Sequence, residues 1–175
     1  GLYRYNIADV VRCVGWYQAT PLLEFLHKGS QVVDLAGEKL TEHQAVTAVN
    51  RALGELGMTL SAYTLAPCRD DDRPYFTLFA EQGDFPDDGA VHTLGLAVDR
   101  ELQNINLRYE SYRTMKVIDS LHVELLTTGS WQVWDRRQMQ SAGGPAQQYK
   151  HPCLVADEQF ADQFSETIPV VPSAA

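Results

Sequence analysis

The sequence predicts an α+β fold: a ferredoxin-like β-α-β-β-α-β core with a leading β-hairpin and an extra C-terminal helix. Three observations carry this. From residue 32 the apolar pattern runs strand, helix, strand, strand, helix, strand, the split β-α-β order in which two helices cover one sheet face. Thr41, with Gln44 three residues later, forms a capping box ahead of apolar positions at helical spacing. A chain of 175 residues, 45% hydrophobic and 21% charged, is enough for about one packed domain.

Each element has a local reason. Val10, Val11, Cys13, Val14 and Trp16 read as one strand and residues 22–26 as a second, with a turn at 18–21. The polar kink Lys28-Gly29-Ser30-Gln31 joins this hairpin to a short strand at 32–35 that ends at Gly37. A helix starts at the capping box; Val46, Val49, Leu53 and Leu56 recur along it and Gly57 ends it. Met58, Leu60 and Ala62 alternate as a strand, and residues 75–81, apolar on both faces, suit a central one. The segment between, CRDDDRPY, is a charged loop. Leu94, Val98, Leu102 and Ile105 mark a second long helix, and Leu121, Val123 and Leu125 another strand. A third helix runs from about Ser130, carries Trp131 and Trp134 as core residues, and stops before Gly143-Gly144. GGPAQQYKHP reads as a loop, residues 157–164 as a short helix, and IPVVPSAA as a loose tail.

Composition removes several function classes. The net charge is −9, with acidic runs at 70–72 and 84–88. No basic stripe offsets it, so a polyanion is repelled and nucleic acid is not an expected partner. No apolar run approaches the roughly 18 residues that span a bilayer, so no membrane partner is expected. The chain opens on Gly1, with its first motif under way at Tyr3, and is read as a piece of a longer chain. Cys13, Cys68 and Cys153 follow no C-x-x-C spacing; they read as buried structural thiols suited to a reducing cytoplasm.

Familiar catalytic signatures are missing: GxGxxG, G-x-x-x-x-G-K, H-E-x-x-H and G-x-S-x-G are not found. His27, His43, His92, His122 and His151 lack ligand spacing and read as surface or satisfied histidines, so no metal site is expected. His122 and Glu124 share a strand face, a common coincidence. Three stretches are less well explained by packing. YRYNIADVV sets Asp9 where a carboxylate can accept two hydrogen bonds from a ribose diol. HKGSQVVDLAGEK has the glycines and polar residues of a hinge followed by a loop. QYKHP places Lys150 where an ammonium can swing towards a phosphate. A surface carboxylate, a turn and a solvated lysine are the plain alternatives.

In this order the stretches resemble the C-terminal part of the auxin-responsive, Gretchen Hagen-type acyl acid–amido synthetases, members of the adenylate-forming superfamily. YRYNIADVV resembles that family's Y-R and D-V-V segment, LLEFLHKGSQVVDLAGEKLTE its interdomain hinge, and LHVELLTTGSW with QQYKHPCL its closing strand, helix and Q-Y-K-x-P signature. The resemblance covers residues 1 to about 155. It implies that residues 1–31 are an edge hairpin and hinge from a large domain, 32–165 a mobile C-terminal lid, and 166–175 a loose tail. It also implies an ATP- and Mg2+-dependent ligase that joins a carboxylic acid to an amine or amino acid, with the large N-terminal domain of the same chain as partner. The fragment alone is expected to be inactive.

Residue by residue, the resemblance makes Asp9 the ribose-binding aspartate, with Arg4 and Tyr5 of the same segment on the nucleotide side. Lys28 falls where an arginine contacts the ribose. Ser30, with Gln31, falls at the hinge aspartate, Gly37 on the loop that enters the active site after rotation, and Lys150 at the mobile lysine of adenylation. Ala8, Lys28, Ser30 and Cys153 depart from the usual glycine, arginine, aspartate and arginine. Two other readings stay open: a non-catalytic ferredoxin-like interaction or ligand-sensing module, and a degenerate family member that has lost catalysis.

Overall fold

The structure is a computed structural model that describes residues 9–28, 32–69, 73–141, 149–164 and 167–170; at 9–10, 25–28 and 167–170 only the backbone is described. Strands β1 (Asp9–Tyr17) and β2 (Thr20–Lys28) form the leading antiparallel hairpin, with Tyr17 opposite Thr20 and Asp9 opposite Lys28. Gln18, at φ 53°, makes the tight reversal. Val11, Val14, Trp16, Tyr17, Leu22 and Leu23 are all exposed. Cys13 shares that exposure, so only Cys68 and Cys153, both half-buried, approach the expected structural thiols.

A four-stranded sheet forms the centre, in the order β5 (Tyr63–Arg69), β6 (Pro74–Glu81), β7 (His122–Leu126), β8 (Thr167–Val170). The β5–β6 and β7–β8 pairs are antiparallel. β6 and β7 are parallel, so the chain crosses between them through α2 (Asp88–Ile105) and α3 (Leu107–Thr114). The α+β class and the expected succession of elements are present. The first strand, however, is not part of the main sheet: β3 (Val32–Val33) pairs only with β4 (Leu40–Thr41). Its extension is blocked because the Leu35 and Ala36 N–H groups donate to the Glu38 carboxylate at 2.8 and 2.9 Å.

Two further expectations shift. The strand expected over 58–62 begins instead at Tyr63, because Ser61 spends both its N–H and its hydroxyl on the Asp84 carboxylate. The tail expected to be loose contributes β8, whose Thr-Ile-Pro-Val sequence is rich in β-branched residues and holds its proline at the sheet edge.

Helix α1 (Glu42–Leu56) starts at the capping box, with Gln44 N–H donating to Thr41 Oγ1 and Thr41 N–H to Gln44 Oε1, and ends at Gly57, φ 64°. Its most buried line is Ala45, Ala48, Val49 and Ala52; small side chains let α2 approach closely. Helix α2 approaches β7 closely too: a Cβ on Gly95 would meet Val123 at 3.0 Å. Helix α3 has little apolar periodicity and exists because Asn106 caps it, accepting from Arg108 and Tyr109 N–H, while Tyr109 is fully buried.

Phe76, Leu78, Val123 and Leu125 face α1 and α2 in the larger core. Ala66, Phe79 and Leu126 face the opposite way, against Trp131 and Trp134 of α4 (Ser130–Ser141) and Phe160 of a 3-10 turn (Phe160–Gln163). Helix and turn thus cover the second sheet face. Glu81, at the end of β6, caps α4 by accepting from Gly129 and Trp131 N–H at 2.9 and 2.8 Å, an anion at the positive end of the helix.

Candidate functional site

The residues singled out by sequence fall into three groups. Arg4, Tyr5, Ser30 and Gln31 lie outside the described residues. Asp9 and Lys28, nineteen residues apart along the chain, occupy directly opposite backbone positions at the open end of the hairpin. Gly37 and Lys150 lie on separate segments of the α+β body.

Gly37 sits at φ +112°, a conformation that favours glycine, and a Cβ there would meet the Tyr112 hydroxyl at 2.9 Å. Its loop is held from several directions. Gly37 N–H donates to Asp34, Arg108 donates to Gly37 O at 3.1 Å, Asn106 donates to Glu38 O, and Arg69 donates to Leu35 O at 3.0 Å. Arg69 also pairs with Glu158, tying this loop to the segment that follows Lys150. The loop is therefore mounted on the body.

Lys150 is exposed and makes no hydrogen bond or ion pair with any described residue. Its neighbours are anchored. The Tyr149 hydroxyl donates to Asp135 Oδ1 at 2.7 Å, and His151 Nδ1 lies 2.8 Å from the same oxygen. His151 Nε2 lies 3.0 Å from Thr64 Oγ1, whose proton goes to the Pro152 carbonyl at 2.8 Å. The Trp131 and Trp134 rings pack against His151 in T-shaped arrangements, at centroid distances of 4.6 and 5.6 Å. Burial, then the bond to Asp135, raises the Tyr149 pKa well above the ordinary tyrosine range, so the phenol stays a donor. Beyond Pro152, Leu65 N–H donates to Cys153 O and Val155 N–H to Leu65 O, both at 2.9 Å, as a parallel bridge to β5.

Cys153, where the resemblance has an arginine, offers a half-buried thiol whose pKa burial pushes up, so it is neither a cation nor an activated nucleophile. Asp135 and Thr64 were not visible as site residues in the sequence. The available signal was His151 itself, a ring beside the candidate lysine that needs partners on both sides. Among the described residues no three His, Cys, Asp or Glu side chains converge to hold a metal ion, and no helix is long and apolar enough to cross a membrane. A cleft of about 350 Å³ lies at the start of α4, lined by Thr127, Thr128, Ser130, Trp134 and Arg137 among others.

Comparison with known proteins places these features in a family. Residues 43–159 match the GH3 family C-terminal domain, and residues 1–28 match the GH3 family central domain. A jasmonoyl–L-amino acid synthetase, GH3.5, from Oryza sativa subsp. japonica is 29% identical over 159 residues, covering 89% of this chain and 27% of the relative. A probable indole-3-acetic acid-amido synthetase, GH3.12, from the same organism is 28% identical over 167 residues, with the same coverage. Among solved structures, the GH3.15 acyl acid amido synthetase superposes with a TM-score of 0.78 at 22% identity, covering 96% of this chain and 32% of that one. The chain thus spans about a quarter of the length of these relatives, and the structural likeness speaks for the fold.

Proposed function

This chain belongs to the GH3 family, and from that membership we propose that it is the C-terminal lid of an ATP-dependent acyl acid–amido synthetase, preceded by a hairpin of the central domain. In this reading a carboxylate oxygen of the acid attacks the α-phosphorus of ATP, the bond to the bridging oxygen breaks, and pyrophosphate leaves. The amino group of an amine or amino acid then attacks the acyl carbon, loses a proton, and AMP departs. The lid's task is to position charge. An ammonium held beside the α-phosphate stabilises the negative charge that builds in the transition state and does little for the ground state.

The observation that carries the proposal is Lys150: an exposed ammonium, unpaired among the described residues, on a segment anchored at both sides. Asp9 and Lys28, whose backbone positions are paired across the hairpin, would be the acceptor and the cation for a ribose. Ser30 and Gln31 would be the hinge, Arg4 and Tyr5 further nucleotide contacts, and Gly37 part of the loop that meets the large domain after rotation. Mg2+ would neutralise phosphate charge; no cluster of described residues offers it a ligand set, so its ligands would be the phosphates and residues of the large domain. Free thiols suit a reducing cytoplasm.

The test uses the full-length enzyme that carries this domain. Lys150→Ala is expected to slow ATP–pyrophosphate exchange by about 100-fold while ATP binding changes only a few-fold. An unchanged exchange rate would remove Lys150 from the mechanism and favour a degenerate or non-catalytic member. The 175-residue chain by itself is expected to catalyse no exchange.

A further inference from the structure

We infer that Asp135, acting through Tyr149 and His151, is a positioning residue that fixes Lys150 to the body of the domain, so that the ammonium travels with the whole domain and has no loop motion of its own. The inference rests on the reading of Lys150 as the adenylation lysine. Tyr149 and His151 turn inward to one carboxylate oxygen, and Lys150 is the exposed residue between them. The two inward contacts come from α4, and the next ones, Thr64 and the Leu65 bridge, come from β5. Helix and sheet therefore hold the same short segment, and the His151 ring is enclosed further by Trp131 and Trp134.

Asp135 has no other described work. It lies inside α4, away from the helix start that Glu81 already caps, and His151 is its sole described ion-pair partner. The consequence is kinetic. A lysine on a solvated loop samples many placements, whereas one whose backbone is fixed at both flanks swings its flexible stem from a single origin, which narrows the placements its ammonium can take at the phosphate.

The experiment compares backbone 15N relaxation of the 175-residue protein with that of Asp135→Asn. In the parent chain the Lys150 and His151 amides are expected to be as rigid as those of β5; in the variant their heteronuclear NOE falls while the β5 and β6 amides keep theirs. Should Asp135→Asn fail to fold, Tyr149→Phe and His151→Gln each remove one of the two inward contacts and carry the same comparison. In the full-length enzyme Asp135→Asn is expected to lower kcat for adenylation about tenfold with KM for ATP within twofold. Lys150 amides that remain rigid in the folded variants, or that are already mobile in the parent, overturn the clamp. Loosened amides together with a Lys150→Ala enzyme of normal adenylation rate leave the clamp standing and remove the catalytic reading, so the two failures are distinguishable.

Discussion

Replacing Asp99 with alanine is expected to be the most damaging single change in the α+β body. Asp99 is 7% exposed and accepts from the Tyr109 hydroxyl at 2.6 Å, Leu121 N–H at 3.2 Å, Gln103 Nε2 at 2.8 Å and the Arg113 guanidinium at 3.1 Å. It thereby joins α2, α3 and the approach to β7. Removing the carboxylate strands a fully buried hydroxyl, a buried amide and a cation. Breaking one partner of a buried pair costs about 3–5 kcal/mol, and each buried donor left alone about 1–3 kcal/mol. Arg113 keeps its bond to Ile118 O and some solvent contact, with its side chain 19% exposed, which argues against summing the full amounts. A net loss of about 4 kcal/mol follows, and about 10 °C in Tm for a chain of this size. Asp99→Asn, which retains an acceptor without the charge, should lose about half as much. Urea unfolding followed by Trp131 and Trp134 fluorescence measures both, with the slope against urea unchanged. A loss below about 1 kcal/mol for Asp99→Ala would refute the view that this carboxylate organises the crossover.

Other expectations are as sharp. Gly37→Ala should cost about 2–3 kcal/mol, from a positive-φ backbone and the Tyr112 hydroxyl that meets the new Cβ. Adding Tyr112→Phe removes the clashing oxygen and should recover the steric share but not the backbone share; equal stability of the single and double variants would contradict that division. Burial, then the Asp99 charge, lifts the Tyr109 pKa well above its ordinary value, and burial does the same first for Tyr63 and Tyr149. Because their folded pKa values lie above the unfolded ones, this stability is whole below about pH 10 and drains as pH rises past it, at up to about 1.4 kcal/mol per pH unit for the deeply buried Tyr109 and by less for Tyr149, whose phenol is screened by solvent. Urea midpoints measured from pH 8 to 11 check this, and a midpoint that rises above pH 10 would contradict the sign.

How much was legible can be seen element by element. The start and end of α1 were readable because Thr41, Gln44 and Gly57 act on backbone groups within one turn of themselves. Trp131 and Trp134 were readable as core for a similar reason: size and spacing on one helix face determine which way they point. Helix α3 was not, since its cap Asn106 and its one buried ring, Tyr109, leave no periodic pattern in LRYESYRT. Strand β8 was hidden in a short proline-containing tail whose partner edge lies more than forty residues earlier. At the site, Lys150 could be picked out from Q-Y-K-x-P, but Asp135 and Thr64 lie fifteen and eighty-six residues before it, and nothing local links them.

By itself the sequence determined the α+β class, the strongly patterned helices α1, α2 and α4, the net acidity and the family resemblance from which Asp9, Lys28 and Lys150 are proposed as site residues, because all of these are written in composition, local periodicity and neighbouring residues. Only the tertiary structure decided that β6 and β7 lie side by side and that the segment around Lys150 is bound to both α4 and β5. Those facts depend on hydrogen bonds between residues far apart along the chain. Their partners are chosen by which surfaces pack together, and that choice has no local signature.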